Sequence, residues 1–198
     1  GGCEGTPSIS DNGRVVAFRS AVPASSYVGS TIDSNGVPDL FVRDRQLNVT
    51  RLVSHSFDLM QVATGVASAP VVSPNGRFVA FTSAATSLVS AFVNANGAAP
   101  DLYVRDLDAN DTVLASRAAA TAATGQNGAN LTLLQTPRVF SGTGRYLLFA
   151  SDATNLVGGV SQLQLYRHDV VDRSTILVNA RKGTASTTDG SLDADFVP

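Results

Sequence analysis

An all-β fold made of tandem four-stranded units follows from three features of the chain. The stretch PVVSPNGRFVAFTS, Pro70 to Ser83, has a copy on each side: PSISDNGRVVAFRS, Pro7 to Ser20, and PRVFSGTGRYLLFAS, Pro137 to Ser151. A second motif follows each copy, Asp39 to Asp44, Asp101 to Asp106 and Gln164 to Asp169, and its closing Asp recurs at spacings of 62 and 63 residues. Helix formers in amphipathic spacing are scarce. Tandem units of antiparallel strands predict β-propeller blades.

Within a unit, the first strand is the short β-prone run after the proline. A Gly-containing turn follows, Asp11-Asn12-Gly13, Pro74-Asn75-Gly76 or Gly142-Thr143-Gly144, where glycine supplies the positive φ of a hairpin turn. The third copy carries an extra residue, expected in this turn. The second strand, Val15 to Phe18, Phe78 to Phe81 or Tyr146 to Phe149, is apolar at successive positions, which predicts burial of both its faces. The third strand is the Asp-Leu-Phe-Val-Arg-Asp motif and its equivalents. The fourth is Val49 to Val53, Thr112 to Ala115 or Thr175 to Val178.

Pro7, Pro70, Pro137 and Pro198 lie 63, 67 and 61 residues apart. Common propeller repeats take roughly 40–50 residues, so each unit must carry loops. Blades are expected at approximately 7–69, 70–136 and 137–197, within one propeller region covering 1–198.

The pattern Ser-x-(Asp/Pro)-Asn-Gly-Arg-x-Val-Ala-Phe-x-Ser, followed by Asp-Leu-(Phe/Tyr)-Val-Arg-Asp, resembles the TolB-like or WD40-like (PD40) β-propeller repeat. The resemblance runs from Pro7 to Pro198. It departs in the third copy, which has Gln164 for the first Asp and His168 for Arg. It implies fold more than function, because such blades occur in transport accessory proteins, peptidase propeller domains and other extracellular proteins. A periplasmic or extracellular location is likewise an implication of the resemblance; no signal peptide is visible in the chain.

Composition narrows the partners. A net charge of −2 provides no basic stripe for a phosphate backbone, arguing against nucleic acid. No apolar run approaches the roughly 20 residues of a membrane span. Lys182 is the only lysine and Glu4 the only glutamate, so charge is mostly Arg and Asp, suited to bidentate pairing. Cys3 is the one cysteine and is read as a free thiol, with a partner outside the chain or lipid modification as the alternatives.

Closed propellers have roughly four to eight blades, which leaves these units with open apolar faces that require a partner. Two copies pairing through like faces about a two-fold axis into a six-bladed ring, a longer propeller of which this is part, and head-to-tail association are the three accounts.

Several residues are candidates for chemistry. Asp33, Asn35 and Asp39 place oxygens at alternating positions around Gly36, a hard-oxygen set of the kind calcium takes, against Asx-turn bonding as the plainer reading. Asp189, Asp193 and Asp195 form a second acidic group, read as a solvated loop. Arg43-Asp44 and Arg105-Asp106 are expected to be structural, with Asp capping the next turn and Arg stacking or pairing between blades. His55 and His168 have no partner at metal spacing, and His168 is read as a surface replacement of the repeat's Arg. The acceptor patterns at Asn48, Asn110 and Asn130 coincide with turns at the first two positions.

Since no catalytic constellation is visible, the leading expectation is a non-enzymatic binding or assembly module outside the cytoplasm, with a protein partner or a second copy on the open faces. The alternatives are a propeller domain of a larger hydrolase or carbohydrate- or peptide-binding protein, and a calcium-stabilised structural or filament subunit.

Overall fold

The computed structural model describes residues 3–29, 33–58, 61–118, 131–132, 139–157 and 162–179. Their strands form three antiparallel four-stranded sheets in an open, unclosed propeller-like arrangement. The first holds β1 (Cys3–Ile9), β2 (Val15–Ser20), β3 (Asp39–Asp44) and β4 (Val49–Leu52). The second holds β5 (Ala67–Val72), β6 (Phe78–Ser83), β7 (Asp101–Asp106) and β8 (Asp111–Leu114). The third holds β9 (Leu131–Thr132), β10 (Tyr146–Ser151), β11 (Gln164–Asp169) and β12 (Ser174–Leu177). A short helix, α1 (Ser25–Val28), lies between β2 and β3. The Asp189–Asp195 group and Asn130 fall outside the described residues.

Every unit closes its first hairpin with the same bonds. The amides of Gly13, Gly76 and Gly144 donate to the carbonyls of Ser10, Ser73 and Ser141 at 2.8 Å. Each Ser hydroxyl then accepts the amide that opens the next strand, from Val15, Phe78 and Tyr146. The extra residue of the third copy therefore lies ahead of the turn rather than in it, since Ser141 to Gly144 is as long as Ser73 to Gly76.

In the first two units the leading proline does not begin a strand. Pro7 lies within β1 and Pro70 within β5, at the register shifts between Glu4 and Ser8 and between Ser68 and Val71. A bulge needs no ladder donor at that point, so proline's missing N–H is harmless.

Side-chain alternation decides the packing. On one face of the first sheet Val15, Ala17, Leu40 and Val42 meet Val79, Phe81 and Tyr103 of the second. The opposite face of the second sheet, Phe78, Ala80, Leu102 and Val104, meets Leu147, Phe149 and Tyr166 of the third. β5 lies against β1, β2 and β3. Each sheet thus presents one parity of residues forward and the other backward.

Burial of both faces of the second strand holds only in the middle unit. β6 is buried at every position, whereas β2 and β10 alternate between buried and half-buried residues. The apolar run is the same in all three, but among the described residues only β6 has a sheet on either side.

Candidate functional site

The recurring charged residues form a bracket within each sheet. Arg14 holds Asp44 through Nε at 3.0 Å and Nη2 at 2.7 Å, Arg77 holds Asp106 in the same fork, and Arg145 holds Asp169. Each Asp also accepts two amides of the following turn: Gln46 and Leu47, Asp108 and Ala109, Val171 and Asp172. The expected capping role is present. The arginine partner was missed, although Gly-Arg and the closing Asp recur together in all three copies. The Arg14 bond holds the Asp44 carboxyl down at about 2.

The neighbouring arginines do not reach between blades as expected. Arg43 donates to Thr50 Oγ1 and Asn48 Oδ1, and Arg105 donates to Thr112 and Asn110 in the same way. Asn48 and Asn110 adopt φ of 58° and 56°, a left-handed turn conformation that Asn tolerates. In the third sheet His168 replaces this Arg and bonds Thr175 Oγ1 at 3.0 Å. His168 is fully buried, not on the surface as expected. Burial pushes its pKa down to about 4, and the Arg117 charge acts in the same direction.

The acidic loop of the first sheet is tied mainly to backbone groups, one of its own and two from neighbouring segments. Asp33 Oδ2 accepts the Ala24 amide at 3.0 Å, and Asn35 Oδ1 accepts the Val37 amide at 2.9 Å. Asn35 Nδ2 donates to the Ala63 carbonyl at 2.7 Å and approaches Asp39 Oδ1 at 3.5 Å. Asp39 Oδ1 accepts the Ser54 hydroxyl at 2.9 Å. Asp39 is buried, and its Oδ2 has no partner. Burial drives its carboxyl up to about 6; the Asp33 charge adds to the rise, and the bonds from Ser54 and Asn35 oppose it. Among the described residues no group of three or more His, Cys, Asp or Glu side chains is placed to hold a metal.

The free sheet faces are the larger candidate. Val79 and Phe81 are fully buried against the first sheet, and Leu147 and Phe149 against the second. Their equivalents in β2, Val16 and Phe18, are half-buried. Tyr27 of α1 covers part of this end, contacting Phe18 at 5.8 Å and Phe41 at 4.8 Å between ring centroids. At the other end, Phe78 and Ala80 are buried against the third sheet, but their equivalents Tyr146 and Leu148 are half-buried. Ile176 on the neighbouring edge strand is 45% exposed. The guanidinium of Arg167 lies 4.4 Å from the Tyr146 ring centroid.

These sheets match solved propellers along most of their length. TolB from Acinetobacter baumannii aligns with 90% of this chain and 38% of its own, at 16% identity and a TM-score of 0.46. A TolB-type protein from Agrobacterium tumefaciens aligns with 90% of this chain and 47% of its own, at 16% identity and a TM-score of 0.50. An oligogalacturonate lyase in complex with manganese aligns with 91% and 43%, at 11% identity and a TM-score of 0.50. The fold is propeller-like. The chain spans less than half the length of each of these propellers. No family model and no curated protein matches it. Propellers of this kind include both a lyase and TolB proteins, so likeness to them establishes fold and not activity.

Proposed function

We propose that this chain is the blade-forming part of a non-enzymatic β-propeller binding module of the TolB-like type, whose two free sheet faces seat further blades of the same repeat. The observation that carries this is positional. Residues buried wherever a neighbouring sheet is present, Val79 and Phe81 on one side and Phe78 and Ala80 on the other, are half-exposed as Val16, Phe18, Tyr146 and Leu148 at the two ends. The two ends are unlike, so the expected meeting of like faces does not follow. In a ring built from two copies, the two-fold would run along the ring axis and join the third sheet of each copy to the first sheet of the other.

Light scattering on this chain tests the reading. The chain should associate at micromolar concentration, and Leu148→Asp should reduce it to a folded monomer. A wild-type chain that is a stable monodisperse monomer, with the same mass and melting temperature as the variant, would sink the proposal. The resemblance of the repeat supports a place outside the cytoplasm, which fractionation of cells making the full-length product would check. A protein partner fits the loop-rich blades, since binding residues concentrate on loops held by a rigid scaffold.

A calcium-stabilised loop is a second reading, favoured by the buried, unpartnered Asp39 Oδ2 near the Asp33 charge. Calcium should raise the melting temperature of the wild type and leave Asp39→Asn unmoved, because a ligand bound only by the native state must stabilise it. No rise in the wild type would exclude the site.

A further inference from the structure

A cavity of about 360 Å³ lies beside the edge strand β8, walled by the segment that follows the first sheet, the loop between β6 and β7, and Arg173 from the third sheet. Its charged lining is lopsided. Among the described residues Arg105, Arg117 and Arg173 face it with Asp111 as the one carboxylate in its wall. Asp111 is already bound to Arg173 at 2.8 Å.

Arg105 is 2% exposed, and its guanidinium is held by Thr112 and Asn110, both neutral. Arginine is seldom buried so fully unless paired, and the two carboxylates whose charge acts on Arg105, Asp111 and Asp106, are already bound by Arg173 and Arg77. Burial lowers its pKa to about 10, so it stays charged at neutral pH. Arg117 makes no pair with a carboxylate among the described residues. His55 also lines the cavity at 7% exposure, and its Nε2 has no partner. The His55 Nδ1–H donates to the Ser56 carbonyl at 2.8 Å, which leaves Nε2 as an acceptor in the neutral ring.

Repeat architecture explains Arg105 alone. The equivalent bracket in the first sheet, Arg43 with Thr50 and Asn48, is half-exposed. At this cavity two further guanidinia join Arg105, Arg117 from after β8 and Arg173 from the turn before β12.

We propose that this cavity binds a small oxyanion, a carboxylate or phosphate group bearing a hydroxyl, with Arg105, Arg117 and Arg173 taking the oxygens and His55 Nε2 accepting from the hydroxyl. Guanidinium forks match both anions, and the volume lies within the range of small-ligand pockets, roughly 300–1,000 Å³. The assignment is independent of how the free sheet faces are covered.

The chain has two histidines, so side-chain NMR gives two imidazole signals to follow. Sodium phosphate and sodium glycolate are titrated separately, with ionic strength held constant by sodium chloride. A saturable shift of the His55 signal is expected. Saturation by phosphate identifies a phosphoryl-bearing ligand, and saturation by glycolate a hydroxycarboxylate. Arg117→Gln should weaken the affinity about tenfold or more, the worth of one charge-assisted hydrogen bond. Arg45→Gln, which alters a side chain bonded to the Gly13 carbonyl outside the cavity, should leave it unchanged. If Arg117→Gln does not fold, Arg173→Gln provides the same comparison at an exposed position. No saturable shift with either anion, or an affinity unaffected by the cavity substitution, overturns the site.

Discussion

Arg77 and Asp106 are joined by a bidentate fork, Nη2 to Oδ2 at 2.7 Å and Nε to Oδ1 at 3.1 Å, while the same carboxylate receives the amides of Asp108 and Ala109. One side chain thus closes the β7–β8 turn and ties it to the start of β6. The two partners are not equal. Arg77 is 46% exposed and Asp106 15%, so removing the arginine leaves a carboxylate still satisfied by amides and water.

Asp106→Ala should therefore destabilise the fold by about 2 kcal/mol, combining a lost turn cap and a lost ion pair. Arg77→Ala should lose less, about 0.5–1 kcal/mol, as for an exposed pair. Urea unfolding of the two variants measures the difference. Equal losses would mean that the fork matters more than the cap.

Two buried groups give opposite pH responses in overlapping windows. Asp39 has a folded pKa of about 6 against an ordinary value of 3.8. Its burial opposes folding once it is ionised, so stability rises as pH falls through 6 toward 3.8. His168 has a folded pKa of about 4 against an ordinary 6.5. The unfolded chain takes up a proton first, so its contribution is whole above pH 6.5 and is lost as pH falls toward 4. In calcium-free buffer, Asp39→Asn should gain on the order of 1–2 kcal/mol at pH 7.5 and lose its rise on acidification. His168→Gln should flatten the acid loss between pH 6.5 and 4. Denaturant midpoints across pH 4–8 would separate them. The third sheet already places neutral Gln164 where Asp39 and Asp101 stand, so an uncharged side chain is compatible with the position.

The repeat alone made the strands, their order and the Gly-Arg turns legible, because strand period, turn chemistry and recurrence all agree in each copy. Three things were not. The upstream extension of β1 and β5 past the proline lacks an alternating pattern, since a bulge interrupts each strand at that point. The burial of His168 depends on the sheet beside it, which no local pattern encodes. Arg117 and Arg173 belong to different units and come together at the cavity only through blade packing. What one blade does to the next is the information that a single repeat does not hold.

The β5 bulge holds Ala69 at φ 54°, where the corresponding bulge in β1 has Gly5 at φ 70°. A left-handed alanine is strained by about 1–2 kcal/mol. Replacement by glycine removes that strain but enlarges the unfolded ensemble by about 0.4–1 kcal/mol. Ala69→Gly should thus gain up to about 1 kcal/mol, read as a raised denaturant midpoint at unchanged slope. A loss would show that the bulge is held by its surroundings in a conformation alanine meets without strain.

Gly76 and Gly13 share a turn and a conformation, φ 76° and 69°, but not an environment. A Cβ added at Gly76 would stand 3.1 Å from Val15 Cγ2 and 3.4 Å from Ser10 Cβ of the first sheet, whereas one at Gly13 would meet only the Arg45 guanidinium at 3.9 Å. Alanine at either position adopts a left-handed conformation, at about 1–2 kcal/mol. Gly76→Ala must in addition push against Val15 and Ser10 of the first sheet, and overpacking costs about 1–3 kcal/mol more. The expected order is a mild loss for Gly13→Ala in the isolated chain and a loss roughly twice as large for Gly76→Ala. Assembly changes this order. If another blade seats on the first sheet, Gly13 becomes the close approach that Gly76 already is, and Gly13→Ala should weaken association measured by light scattering. An association constant unmoved by Gly13→Ala, in a chain that does associate, would place the contact on a different surface.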